Sequence, residues 1–235
     1  MRGFVIVGLI MFSVSVLSAS AEMWKDSFDG DELKEEWKPV VSVFGANPPT
    51  NWKIENGVLT GRWTTWGQQH LLIEYPSLDY TVQVKCRIDK INTINVDNTA
   101  GLIVRSAGPD RINPGQGVVD FYNYGLTPSA GNNGISMIYI WADSWDYPGR
   151  AQKELKIGEW YTLKMVAKGD NLKGYIDNEL AFEVNDGRTK GYFVGVYTAL
   201  YVNASFDDFV VTDETLASVS PQGTLITTWA GLKKQ

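Results

Sequence analysis

Two short polar stretches of the sequence carry aromatic side chains suited to sugar binding. Trp63 and Trp66 lie in the first stretch, between Gly61 and Gly67. The second stretch, 141–149, contains Trp141, Asp143, Trp145 and Tyr147. A flat aromatic ring stacks on the apolar face of a sugar, and neighbouring polar groups bind its hydroxyls. The two stretches are therefore predicted to be ligand-binding loops; the alternative is that each Trp fills one end of the fold.

A second group of candidates lies on two predicted strands. Asp120 and Tyr122 are two residues apart, so on one strand they would face the same side. Arg105, on a central strand, could pair with them. This patch would suit a bound glycan or acid/base chemistry with Asp120 as the catalytic group. The alternative is a structural salt bridge.

The counts of histidine and cysteine narrow the possible chemistry. The chain has one His, His70, and one Cys, Cys86. A single chain therefore cannot form an intramolecular disulfide or a zinc site from these ligands, and any Ser-His-Asp triad must use His70. We interpret His70 as a satisfied or exposed histidine in preference to a catalytic one. Cys86 is predicted to be an inert thiol in the core.

Acidic residues lie near both ends of the predicted domain. We call them the chain-end acids, and they are Asp26, Asp29, Asp31, Asp207 and Asp208. The first and last strands of a sandwich often lie close together, and clustered carboxylate oxygens suit calcium. A structural calcium held by Asp26, Asp29 and Asp207 is one prediction, and ordinary acidic surface turns are the alternative.

Hydrophobic residues recur with a period of two from Trp24 onward. The clearest run is 80–89, where alternate apolar residues, Cys86 among them, share one face. About eleven such runs, separated by turn dipeptides such as Asn56-Gly57, predict an all-β fold made of two antiparallel sheets packed as a sandwich. The one helical candidate, around 31–36, is predicted to be no more than a turn.

The chain ends differ in composition from this middle part. Arg2, an uncharged apolar run and Ala19-Ser20-Ala21 predict a signal peptide at 1–21, and hence an exported protein. Residues 22–213 form the predicted domain, and 214–235 are a tail or strap. The apolar run is too short for a membrane span, so none is expected in the mature chain. The net charge of −6 argues against a nucleic-acid partner.

Several segments together resemble the concanavalin A-like lectin/glucanase superfamily, especially the 3-keto-disaccharide hydrolase-like (LamG-like) domains of exported bacterial proteins. These segments are 26–37, 52–59, 100–106, 158–164, 191–196 and 205–211. The resemblance implies a concanavalin A-like jelly roll, and many members hold a structural calcium. The glucanase motif E-x-D-x-x-E is absent from the sequence. In the hydrolase-like domains a groove carboxylate follows the central Arg, and Asp120 is the nearest match.

These observations lead to one functional hypothesis and two alternatives. The domain is predicted to bind carbohydrate through the Trp-bearing loops and the groove of Arg105 and Asp120. The first alternative is a glycoside hydrolase of the 3-keto-disaccharide type. The second is a calcium-stiffened module that contacts protein.

Overall fold

The computed structural model describes residues 23–42, 49–92, 98–109, 121–128, 135–141 and 145–213. The predicted signal peptide and the tail at 214–235 lie outside these residues. Sixteen strands make up the described chain, and every pairing between them is antiparallel. No helix long and apolar enough to cross a membrane occurs in the described ranges.

The strands form two sheets of eight. The first sheet has the order β14-β13-β12-β6-β16-β4-β3, with β1 paired to β16. Its strands are β1 (Met23–Asp26), β3 (Trp52–Glu55), β4 (Val58–Arg62), β6 (Tyr80–Ile91), β12 (Tyr161–Lys168), β13 (Asn171–Ile176), β14 (Glu179–Asn185) and β16 (Val202–Asp213).

The second sheet has the order β10-β9-β8-β7-β15-β5-β2, with β11 paired to β9. Its strands are β2 (Lys38–Ser42), β5 (Gln68–Glu74), β7 (Thr99–Ser106), β8 (Phe121–Thr127), β9 (Ile135–Trp141), β10 (Trp145–Asp146), β11 (Arg150–Gln152) and β15 (Phe193–Ala199). The two-sheet sandwich confirms the predicted all-β jelly-roll class.

Alternating side chains explain why these segments form paired sheets. Along β6 every second residue from Tyr80 to Ile88 is buried, and the residues between them are partly exposed. The buried set packs against the inner face of the second sheet, as the period of two predicts. Cys86 belongs to this core as a free thiol, and burial raises its pKa, in agreement with the sequence prediction.

Turns and the first strand fix the ends of the sandwich. Asn56 and Gly57 have φ values of 55° and 72°, the left-handed pair of a tight hairpin turn. Strand β1 pairs with β16, which confirms that the two ends of the domain are neighbours. Nearby, the buried carboxylate of Asp26 accepts a 2.9 Å hydrogen bond from the indole of Trp37.

Candidate functional site

The outer face of the second sheet, turned away from the core, carries an unusual group of polar side chains. The strand register places His70 on β5 opposite Tyr197 on β15, and Tyr197 opposite Gly101 on β7. Gly101 in turn lies opposite Gly125 on β8. We call the buried polar residues of this face the His70 cluster; they are Gln68, His70, Thr99, Asn123, Thr127 and Tyr197.

This outer face is strongly concave. Strands β5 and β8 are separated by β15 and β7, a distance of about 14 Å on a flat sheet at about 4.8 Å per strand. Nevertheless Asn123 Nδ2 of β8 donates a 2.8 Å hydrogen bond to Gln68 Oε1 of β5. The ring of His70 also meets that of Phe121 edge-on, with centroids 5.0 Å apart. The sheet must therefore curl until side chains three strands apart touch.

Glycine makes room for the centre of the cluster. A Cβ at Gly125 would lie 2.3 Å from Tyr197 Oη and 2.6 Å from Thr99 Oγ1. The phenol of Tyr197 thus reaches across β7 to β8, where Tyr197 Oη and Thr99 Oγ1 share a 2.9 Å hydrogen bond. Burial raises the pKa of Tyr197 well above its usual value, so its hydroxyl stays protonated.

His70 is neutral in this surrounding. The imidazole is fully buried, and desolvation lowers its pKa from 6.5 to about 3. Its Nε2 lies 3.1 Å from Gln68 Oε1, which only accepts hydrogen bonds, so Nε2 carries the proton and donates it. Nδ1 is therefore an unprotonated acceptor, and no group among the described residues bonds to it.

Two further buried atoms of the cluster lack partners. They are the side-chain oxygens Asn123 Oδ1 and Thr127 Oγ1. A buried polar atom without a hydrogen bond costs about 1–3 kcal/mol, so such atoms are rare and mark positions that a ligand or water can fill. Together with His70 Nδ1 they form a set of acceptors that suits a ligand rich in hydroxyl donors.

The two tryptophans of the first predicted loop have different positions. Trp63 is 2% exposed, packs on Val41, and its indole donates a 3.0 Å hydrogen bond to Gly67 O. Its ring is therefore a plug of the fold, the alternative considered from sequence. Trp66 is 51% exposed in the turn that leads into β5. Only Trp66 of this pair presents its ring to solvent.

The second predicted loop contains strand residues. Trp141 and Trp145 stand on strands β9 and β10 and pair with each other, and Trp141 also pairs with Phe121. The register thus places both positions at the edge of the concave sheet. Tyr147 is half-buried, while Asp143 and Asp120 lie outside the described residues.

Arg105 and Tyr122 do not come together as predicted. Tyr122 points into the core side of β8, where its hydroxyl donates to Asp186 Oδ1 at 2.9 Å and accepts from Thr189 N. Arg105, 1% exposed, donates from Nε and Nη2 to Leu78 O. The φ of Arg105 is 51°, and its guanidinium also lies 3.7 Å from Asp79, so Arg105 and Tyr122 are each held by other partners.

Three of the chain-end acids, Asp26, Asp207 and Asp208, have protein partners. Asp26 accepts from Trp37 and lies 3.5 Å from Lys34 Nζ. Lys85 Nζ lies 3.8 Å from Asp207 and 2.5 Å from Asp208. Within the described ranges no group of three or more His, Cys, Asp or Glu residues could hold a metal ion. Calcium at Asp26, Asp29 and Asp207 stays a prediction.

The sequence interpretation missed His70 and Asn123 as site residues. One signal was present, because Gln68 and His70 are polar at alternate positions of a strand that is otherwise mostly apolar. Glycines on neighbouring strands, at 101 and 125, gave a second hint of side chains crossing the sheet.

The fold and the concave face define a galectin-like or concanavalin A-like jelly roll. The chain belongs to the family described as the 3-keto-alpha-glucoside-1,2-lyase-like domain, whose model matches residues 23–194. No curated protein matches the sequence.

Solved structures share this architecture at low sequence identity. Carbohydrate-binding module CBM66 from Bacillus subtilis is 17% identical, with a TM-score of 0.50 over 76% of this chain and 92% of that one. A galectin-like protein of unknown function from Bacillus subtilis is 12% identical, with a TM-score of 0.58 over 83% and 97%. A xylan beta-1,4-xylosidase from Bacillus halodurans C-125 is 16% identical, with a TM-score of 0.58 over 80% of this chain and 39% of the enzyme. These likenesses establish the fold.

Proposed function

We propose that this domain binds carbohydrate on the concave face of its second sheet, at the His70 cluster. The observation that carries the proposal is the pair of unpartnered acceptors, His70 Nδ1 and Asn123 Oδ1, in a buried network that already satisfies their other atoms. Vicinal hydroxyls of a sugar supply donors at short spacing, so one ring could satisfy both atoms. The fold is shared with CBM66, a carbohydrate-binding module, which agrees with this choice.

Aromatic residues around the concave face support the same class of ligand. Phe121 contacts His70, and the register continues from Phe121 to the backbone positions of Trp141 and Trp145. Trp66 is exposed in the turn that leads into β5, the strand that carries His70. We propose that Trp66, Trp141 and Trp145 extend the site by stacking on further sugar units.

Burial of the acceptors has a kinetic consequence. His70 and Asn123 are 0% and 1% exposed, so a ligand reaches them only by displacing what shields them. We therefore expect association slower than the usual range of about 10⁵–10⁷ M⁻¹s⁻¹.

Calorimetric titration after a glycan-array screen tests the proposal. His70→Gln keeps a donor near the position of Nε2 but removes the Nδ1 acceptor, and Trp66→Ala removes the exposed ring. Both variants are expected to weaken binding about tenfold or more, equivalent to about 1.4 kcal/mol. Leu72→Val, a buried apolar change on the same face, is the matched control and should bind like the wild type.

The outcome that contradicts the proposal is also clear. If no glycan binds the wild-type domain, or if His70→Gln and Trp66→Ala both bind as tightly as wild type while folded, the concave face is not a sugar site. Melting curves of each variant show whether it is folded.

A second candidate function is catalysis on 3-keto-glycosides. Family membership favours it, and the unprotonated Nδ1 of His70 could accept a hydrogen bond from a substrate hydroxyl and so orient the substrate. Asp120 directly precedes Phe121, the ring that contacts His70, and would act as the general acid or base. Sugar release from 3-keto-glucosides should then vanish in Asp120→Asn and His70→Gln. Undiminished turnover in either variant would remove that residue from the mechanism.

A further inference from the structure

An open polar groove lies on the other side of the sandwich, on the outer face of the first sheet. Its volume is about 540 Å³, within the usual range for small-molecule sites. The residues that define it here, which we call the Trp160 groove, are Arg62, Arg87, Asp89, Trp160, Asn203 and Ser205. Trp160 lies in segment 158–164, one of those that carry the family resemblance, and 38% of it is exposed.

A β-bulge gathers the floor of the groove. Along the β6–β16 pair, Ile88 lies opposite Ala204 and Lys90 lies opposite Asn203, so Asp89 is the extra residue. Asp89 accepts a 2.6 Å hydrogen bond from Arg87 Nε and another of 2.6 Å from Ser205 Oγ. Arg87 Nη2 also donates to Ser205 Oγ at 3.2 Å, which closes a triangle of hydrogen bonds.

The triangle holds a planar cation against the exposed ring. The guanidinium carbon of Arg87 lies 4.6 Å from the centroid of the Trp160 ring. Because Asp89 and Ser205 fix the guanidinium, its remaining donors and the open part of the ring are positioned before any ligand arrives. Such preorganisation reduces the entropy that binding must overcome.

The charges of the groove indicate the ligand class. Arg87 pairs with Asp89, and Arg62 pairs with Glu55 on the facing strand. The formal charges of these four residues cancel, so the described part of the groove offers no excess charge to an ionic ligand. Hydroxyl-binding groups beside an aromatic ring suit a neutral sugar.

We propose that the Trp160 groove is a second carbohydrate site that binds a neutral oligosaccharide independently of the His70 cluster. The two sites face opposite sides of the sandwich. A domain that uses both would hold two glycan segments at once, one on each sheet.

Titrations in a His70→Gln background test this proposal separately from the first one. The probes are xylohexaose, cellohexaose and maltohexaose, with trigalacturonate as an anionic comparison. Nitrogen-15 spectra report the indole resonance of Trp160, which is assigned by its loss in Trp160→Phe. We expect at least one neutral hexasaccharide to move this resonance.

Matched variants then locate the contact. Trp160→Ala removes the ring, while Arg87→Lys keeps the charge but loses the planar fork that Asp89, Ser205 and the ring hold. Each is expected to weaken calorimetric binding about tenfold. Tyr192→Ala, an exposed aromatic outside the groove, should leave binding unchanged.

Three results would overturn the proposal. The first is no shift of the Trp160 resonance with any neutral probe at 10 mM, which is about the concentration limit for weak sites. The second is unchanged affinity in a folded Arg87→Lys variant. The third is binding of trigalacturonate alone. If the His70→Gln change removes glycan binding at the His70 cluster while the Trp160 resonance still shifts, both sites are supported. The first site could fail without affecting the second.

Discussion

Acid should destabilise this domain through its single histidine, and the size of the effect follows from the pKa shift. Burial lowers the pKa of His70 from 6.5 to about 3 in the folded protein. Between these values the unfolded chain binds a proton that the folded chain does not. Stability therefore rises with pH, and it is lost as pH falls below 6.5.

The expected magnitude can be stated for two conditions. A titrating group with these two pKa values removes about 1.4 kcal/mol of stability at pH 5.5 and about 2.7 kcal/mol at pH 4.5, relative to pH 7.5 or above. These losses are a large share of the about 5–15 kcal/mol that stabilises an ordinary domain.

Urea denaturation at about pH 7.5, 5.5 and 4.5 measures this loss of stability. These conditions lie about one pH unit above, one below and two below the pKa of histidine in the unfolded chain. Wild type contains both the histidine and the acidic residues, whereas His70→Gln contains only the latter. The difference between the two pH dependences isolates His70. Leu72→Val, which removes a buried methylene from the same face, should keep the wild-type pH dependence.

One result would refute the reasoning. The range from pH 7.5 to 4.5 spans about three pH units, enough to protonate an unperturbed imidazole almost fully. If wild type and His70→Gln lose equal stability over this range, His70 is not buried as a neutral group. The Nδ1 atom would then be protonated below about pH 6.5 and would act there as a donor and not as the proposed acceptor.

Three further predictions concern the structure around both sheets. Gly125→Ala places a methyl group 2.3 Å from Tyr197 Oη and should lower the free energy of unfolding, measured in urea, by about 1–3 kcal/mol. Gly30→Ala is the control: the nearest atom to its new methyl group is 3.8 Å away, so the stability of the domain should hardly change. Asp26→Ala leaves the indole N–H of Trp37 without its acceptor and should cost about 1–3 kcal/mol by the same assay; wild-type stability would contradict that role. If the chain-end acids bind calcium, millimolar Ca²⁺ should raise the melting temperature and EDTA should reverse it, and an unchanged transition would exclude a structural ion.

The two-sheet fold could be predicted because its signal is local. The alternation along 80–91 selects one buried face, and Asn56-Gly57 supplies the backbone conformation that a tight hairpin requires. Strand β14 at Glu179–Asn185 was missed because it lies at a sheet edge and only one of its side chains is fully buried. When alternate side chains are not buried, an edge strand needs few apolar residues, and its alternation in the sequence is weak.

The arrangement of the predicted site residues could not be derived from the sequence, because side-chain direction depends on more than spacing. Trp63 and Trp66 are three residues apart in one polar stretch, yet a hydrogen bond to Gly67 O holds the first inside the fold and leaves the second exposed. Arg105 has a left-handed φ of 51°, and its buried guanidinium bonds to Leu78 O, a contact that strand spacing does not predict. Neither event has a signature in residue type.

Curvature is the property that determines the concave site, and it is not local. Gln68 and Asn123 belong to strands three positions apart, so a flat sheet would hold them about 14 Å apart and a planar interpretation would never pair them. Their 2.8 Å hydrogen bond requires both a curled sheet and bare backbone at its centre, which Gly101 and Gly125 provide. The polar side chains that meet across the curled sheet lie beside Gly101 and Gly125, a juxtaposition that becomes visible only when the strand order is known.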